Sequence, residues 1–299
     1  MRGAGEGGQK DHKIKRGAPT QRSFLPGLLI FLSIPLPLGG CIRPTPVEHA
    51  MSLARQHQEE AAVALLRTDL AQHPDDLDAR RLLIRLLAVE SNLPAARDEV
   101  RALAERLPPD DPSPWIELGH ALELMHQFDE ALAAYQTAAE KAPSSPEGPL
   151  EAGTRAAHWG EWEDARTWLE EAIKRGAHSA DVWHTLGLVR LNLHDEAGAR
   201  AAYANGTRED PRAVDCWLGL ATVALASHDF PAALAAYDNL LRLRPAWGDG
   251  EVGRAWALAQ LGRRDEATQA LEHAEELGGD AKAIAKQRAL LKAAKAPSP

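Results

Sequence analysis

Twelve histidines, 43 carboxylates and two cysteines are the side chains of this sequence that could carry chemistry. Histidine with carboxylate offers metal binding or acid–base work, and cysteine offers a nucleophile. Their spacing supports none of these. His57-Gln58-Glu59-Glu60 runs on into Ala61, where a His-Glu-x-x-His zinc helix needs its second histidine. Acidic pairs such as Glu163-Asp164 and Asp265-Glu266 open predicted helices, where carboxylates offset the positive end of the helix dipole. The sequence holds no Cys-x-x-Cys pair, no glycine-rich phosphate loop and no Gly-x-Ser-x-Gly elbow. Cys216 stands beside Trp217 at the start of a predicted helix and reads as a buried, inert thiol. No catalytic residue, metal ligand or cofactor is expected, and the chain reads as a non-enzyme.

Cys41 is placed differently. A basic stretch ending at Arg22 precedes an apolar run from Phe24 to Leu38 that contains Pro26, Pro35 and Pro37. A membrane-spanning helix needs about 20 apolar residues with few such breaks, so residues 1–40 read as a cleaved export signal. The run closes on Leu38-Gly39-Gly40-Cys41, which resembles the lipobox of bacterial lipoproteins, where the cysteine thiol takes a diacylglycerol. Acyl chains at ~0.8 kcal/mol per buried methylene make a lasting anchor. An ordinary signal with an incidental cysteine is the other reading. Thr20-Gln21-Arg22-Ser23-Phe24-Leu25 lacks the first arginine of a twin-arginine motif, which favours general secretion. Ile42 follows the cysteine, where an aspartate would resemble an inner-membrane retention signal. The resemblance therefore implies the periplasmic face of an outer membrane. Residues 41–47, with Pro44 and Pro46, form a short linker. Of 34 basic and 43 acidic residues, six and two lie in the first forty, so the body carries 28 against 41. A body this acidic lacks the basic stripe that nucleic acid requires.

The elements that position these residues are helical and repetitive. Pro74, Pro108, Pro143, Pro211 and Pro245 fall on a step of 34 residues with one insertion, and Ala177 takes the vacant slot. Trp115, Trp183 and Trp217 each precede a leucine (Leu118, Leu186, Leu220) by three. Tyr135, Tyr203 and Tyr237 keep the same step, with Leu169 replacing the ring once. A small residue recurs seven times, as Ala62, Ala96, Ala131, Ala165, Ala199, Ala233 and Ala267. This pattern resembles the tetratricopeptide repeat. It predicts an all-α, right-handed superhelical solenoid of about seven helix-turn-helix units over 43–280. A capping helix follows over 281–295, and a frayed tail over 296–299.

Trp115, Leu118, Gly119 and Leu122 share one helix face, and Gly119 and Ala131 are small because paired helices approach closely there. His126, Gly160, His194, His228 and Gly262 occupy the turn slot, which requires tolerance of positive φ. Asp69 stands where unit one should have a small core residue, which suggests that its second helix takes another register.

In tetratricopeptide proteins the first helices line a concave groove that receives partner segments. The register implies its lining: Arg81 and Arg85 in unit two, Ile116 and His120 in unit three, Leu150 and Thr154 in unit four. His184, Leu188 and Leu191 follow in unit five, Leu218, Thr222 and Leu225 in unit six, and Val252 and Trp256 in unit seven. The family's lysine-and-asparagine carboxylate clamp is not matched at these slots. Arg81 and Arg85 read either as a grip on an acidic group or as a solvated face. Trp256 reads as a binding anchor or as packing between units. Trp159, Trp162 and Trp168 read as a second surface or as packing under their turn. The whole resembles envelope lipoproteins such as those that pilot pilus secretins, and implies a scaffold for other envelope proteins, attached to the membrane through lipid alone. The alternative is an adaptor or regulatory subunit that docks peptidoglycan-modifying enzymes or recognises a small ligand or glycan.

Overall fold

The computed structural model describes residues 44–293, which fold into fifteen α-helices and no strand. Fourteen helices form seven antiparallel pairs. The pairs are α1 (Pro46–Arg55) with α2 (Glu59–Gln72), α3 (Leu77–Val89) with α4 (Leu93–Ala104), and α5 (Ser113–Leu124) with α6 (Phe128–Lys141). Next come α7 (Glu147–Trp159) with α8 (Trp162–Lys174), and α9 (Ala180–Asn192) with α10 (Glu196–Glu209). The series ends with α11 (Val214–Ala226) and α12 (Phe230–Leu243), α13 (Gly248–Gln260) and α14 (Arg264–Glu276), and a single α15 (Ala281–Ala293). Each helix packs on the next, and first helices of neighbouring pairs also touch, as α3 does α5 and α9 does α11. The chain is an all-α repeat solenoid. Residues 1–43, with the expected signal and Cys41, and those after 293 lie outside the described residues, and α1 opens at Pro46, inside the expected 41–47 linker.

Local sequence sets the ends of these helices. Thr45 and Glu48 form a reciprocal capping box on α1. Asp76, Asn92, Ser179, Asp195 and Asp229 accept a backbone N–H in the first turn of the helices they precede. The turn inside every pair contains one residue at positive φ: His57, Ser91, His126, Gly160, His194, His228 and Gly262. There the next amide reaches back across the turn, as from Gln127 to Leu122 O (2.9 Å) and from Asp195 to Arg190 O (2.8 Å). This left-handed cap satisfies carbonyls that the helix end leaves open. Histidine carries a conformational cost there that glycine does not.

Between the helices, all seven column alanines are fully buried. Gly119 faces the Tyr135 ring rather than a helix backbone: a methyl added there would overlap the ring. Tyr203 goes further, since its ring lies against both Gly187 of α9 and Gly219 of α11. One residue thus spaces a pair and its neighbour together. Asp69 does not shift the register of α2. Ala62 and Leu66 fill the usual buried slots, and Asp69 follows them inward, its Oδ1 bonded to His73 Nδ1 at 2.9 Å. The carboxylate is buried there, and its Oδ2 has no hydrogen-bond partner. α15 packs on α13 and α14 and buries only Ile284, as a cap should.

The Tyr203 wedge yields a test. Gly187→Ala gains up to about 1 kcal/mol of helix propensity but overpacks a ring that Gly219 holds from the other side, at about 1–3 kcal/mol. Urea denaturation should find the variant destabilised by about 1–2 kcal/mol, whereas a stabilised variant would mean that the ring is free to move.

Candidate functional site

The groove slots lie on the first helices and differ from one end to the other. At the α3–α7 end the lining is polar and internally paired. Arg85 grips Glu117 of α5 with two hydrogen bonds, Nε to Oε2 at 2.7 Å and Nη2 to Oε1 at 2.6 Å. Glu117 is buried, so Arg85 serves an internal carboxylate. Arg81 lies 3.2 Å from Asp78 and lines a cleft of about 250 Å³ with Ile116, Glu117, Glu147, Leu150 and Glu151. Each of the two arginines thus has a carboxylate of this chain as a partner.

His120 sits between two carboxylates, its Nδ1 3.9 Å from Glu117 and its Nε2 3.6 Å from Glu151. Arg155 continues the chain, 3.3 Å from Glu151 and 3.2 Å from Glu123. The Tyr135 ring meets His120 edge-on at 5.7 Å. Burial pushes the Glu117 carboxyl up, but bonds from His120 and Arg85 outweigh it and hold it below the usual range. Glu151 is held low in the same way by His120 and Arg155. Burial alone would lower His120, and the two carboxylates beside it raise it instead. At Glu123 burial dominates over Arg155 and the carboxyl is raised. None of Glu117, Glu123, Glu151 and Arg155 is expected from the sequence reading, although Glu117 and Glu151 stand one 34-residue period apart, which is a readable signal.

The middle of the groove is apolar and open. Leu188 of α9 and Leu218 of α11 are 43% and 38% exposed, on helices that touch. Leu150, His184, Leu191 and Leu225 are half-buried around them, and Thr154 and Thr222 are exposed. Thr222 turns its hydroxyl back to Leu218 O (2.9 Å) and so adds little polarity to the surface. Towards the C-terminal end Val252 is buried in the core of the last pairs, and Trp256 is half-buried. The three clustered tryptophans take the packing role. Trp159 and Trp168 lie on the core of units three and four, and Trp162 on that of units four and five. Phe128 packs on Trp159 at 5.1 Å. Cys216 is buried against Gly206, its Sγ 3.4 Å from Ala180 O, and burial pushes the thiol up to about 11. Among the described residues no cluster of three or more His, Cys, Asp or Glu side chains is placed to hold a metal ion.

This repeat geometry is that of a known class. The sequence profile of the tetratricopeptide repeat family matches residues 47–112, 116–180, 184–246 and 218–282. The chain belongs to the tetratricopeptide repeat family, whose repeats are protein-interaction scaffolds. Solved structures with this fold include the C-terminal part of a tetratricopeptide protein from Cytophaga hutchinsonii, with a TM-score of 0.60 at 15% identity over 80% of this chain and 98% of that one. YrrB, described as having an unusual peptide-binding site, superposes with a TM-score of 0.55 at 18% identity over 63% and 97%. MamA does so with 0.52 at 21% over 56% and 92%. At such identities the likeness is one of fold. No curated protein sequence matches the chain.

The His120 chain has a pH signature. Because its pKa is raised in the folded state, its stabilising contribution is complete below the ordinary 6.5 and is lost as pH rises through the raised value. His120→Gln should therefore cost about 1 kcal/mol just below pH 6.5 and progressively less above it. Denaturation across that range reads the difference directly, and a constant gap between the two proteins would contradict it.

Proposed function

We propose that this protein is a non-catalytic, lipid-anchored scaffold of a bacterial cell envelope that holds segments of other envelope proteins in its groove. The observation that carries the binding role is the pair of open leucines, Leu188 and Leu218, on the touching helices α9 and α11. Water-exposed leucines on the concave side of a well-packed solenoid cost solvation that a partner would relieve. The polar end, by contrast, has its charges matched internally, which keeps α3, α5 and α7 in fixed relation and leaves the apolar stretch as the surface on offer. The anchor rests on Leu38-Gly39-Gly40-Cys41 at the end of the apolar run. Diacylglycerol on Cys41, joined to α1 by the few residues before Pro46, would tie the repeats to the bilayer. Ile42 after the cysteine favours the outer membrane.

Two measurements test this. Cys41→Ala, or globomycin, should move the protein from the membrane to the soluble fraction, and unchanged fractionation would remove the anchor. A photo-crosslinking residue at Leu188 or Leu218 should capture envelope proteins that one at Leu261, an exposed turn residue, does not. Capture from Leu261 alone would place binding outside the groove.

A further inference from the structure

The joint between α5 and α7 is held in a different way from the other joints along the groove. Neighbouring first helices come close at α1–α3, α3–α5, α7–α9 and α9–α11, but the backbones of α5 and α7 stand further apart. One slot shows why. Glu151, Gly219 and Gly253 are separated by multiples of 34 residues and face the second helix of the preceding unit. Gly219 receives the Tyr203 ring, and at the wider α11–α13 joint Gly253 receives the Tyr237 ring. A Cβ at either glycine would overlap its ring, so a glutamate in this slot keeps α7 off Tyr135. The Glu151 side chain reaches towards His120 of α5 instead (3.6 Å). Between the N-terminal halves of the two helices a cleft of about 250 Å³ remains, with Ile116 and Glu117 on one wall and Leu150 and Glu151 on the other.

The outer side of the same joint is tight. Gly148 of α7 lies so close to the α6 backbone at Ala138 and Ala139 that a methyl there would overlap it. Arg175 of α8 adds hydrogen bonds to the carbonyls of Ala139 (2.9 Å) and Ala142 (3.2 Å). The groove side has charge where the outer side has packing. Two contacts span it, His120 with Glu151 and Glu123 with Arg155 (3.2 Å). His120 Nε2, Glu123 Oε1 and Arg155 Nε are buried without a hydrogen-bond partner, so the attraction across the joint is coulombic. A joint packed on one side and held by charge on the other has the form of a hinge with a latch.

We infer that the α5–α7 joint is a hinge of the solenoid, latched on its groove side by the positive charge of His120. Protonated, His120 stands between Glu117 of α5 and Glu151 of α7 and draws the two helices together. Without its proton, the two carboxylates face each other across the joint, and the Glu123–Arg155 contact alone bridges it. Repulsion between them and hydration of the cleft then turn units four to seven outwards about the α6–α7 packing, and the groove widens. The groups that face His120 are Glu117 and Glu123 of its own helix, Tyr135 of α6, and Glu151 and Arg155 of α7, with Arg85 of α3 behind Glu117. The carboxylates keep the ring protonated above its usual range. The latch therefore holds at pH 6.5 and below, and releases as pH rises through the raised value. A partner segment that spans both halves of the groove binds with a pH dependence, because segment and proton act on one joint. The latch itself needs no partner, so it stands or falls apart from the scaffold reading.

The test uses the full-length chain in detergent, with spin labels on keto side chains introduced at Glu90 and Ala226, which leaves Cys41 and Cys216 untouched. Both positions are exposed, at the ends of α3 and α11, on either side of the joint. Their separation, read by double electron–electron resonance, should lengthen between about pH 6 and about pH 9, with a midpoint above 6.5. Labels at Asn192 and Ala226, across the packed α9–α11 joint, should keep their distance. His120→Gln should show the long Glu90–Ala226 distance at every pH, and His120→Lys, which stays charged, the short one. Circular dichroism checks that both variants keep the fold. An unchanged Glu90–Ala226 distance across this range would overturn the hinge, as would a pH response that survives in His120→Gln. An equal change between Asn192 and Ala226 would do so too, since the solenoid would then be loosening as a whole.

Discussion

In three units one contact sets the helix spacing, a ring from the second helix against a glycine of its own or the next first helix. Tyr135 meets Gly119, Tyr203 meets Gly187 and Gly219, and Tyr237 meets Gly253, each so closely that a single methyl on the glycine would overlap the ring. A rigid aromatic of fixed thickness therefore sets how far apart the helices stand, where flexible side chains would leave the spacing adjustable. At Tyr203 the same ring spaces the pair and its neighbour, so the step from α9 to α11 is fixed by one residue. Since the groove lining sits on those first helices, its register is inherited from rings buried behind it.

Unit four shows what happens when the ring is missing. Leu169 replaces it, and Gly153 then faces the Leu169 side chain and its backbone nitrogen. The two helices close up around a smaller residue. Trp159, Trp162 and Trp168 pack around this unit, and Phe128 joins Trp159. Three tryptophans in ten residues look like a recognition surface in one dimension. In three, each also packs on the cores of units three to five.

Features that repeat are legible in the amino-acid sequence by itself. The alanine column, the turn histidines and the proline step each recur at a fixed period, and a period needs only one dimension to be seen. Even the histidines at positive φ can be read, because only a few residue types tolerate that conformation and they recur at one slot. Pairing across the groove is not legible in the same way. Arg85 and Glu117 lie 32 residues apart, and nothing in either residue says that the carboxylate turns inward. That depends on the angle between α3 and α5. Asp69 misleads for the opposite reason. A charge in a core column suggests a slipped helix, whereas α2 keeps its register and turns Asp69 inward, with one oxygen on His73.

The two halves of the groove divide the work of a scaffold between rigidity and reception. The α3–α7 end turns its charges on itself, through Arg85, Glu117, His120, Glu151, Arg155 and Glu123. A charge already paired inside the protein adds little for a partner, which must first desolvate or break the pair. The α9–α11 stretch leaves Leu188 and Leu218 open instead. A solenoid can hold both conditions on one continuous surface because each unit answers only to its neighbours. Changing the slots of one unit retunes that stretch of groove without disturbing the rings that hold the rest.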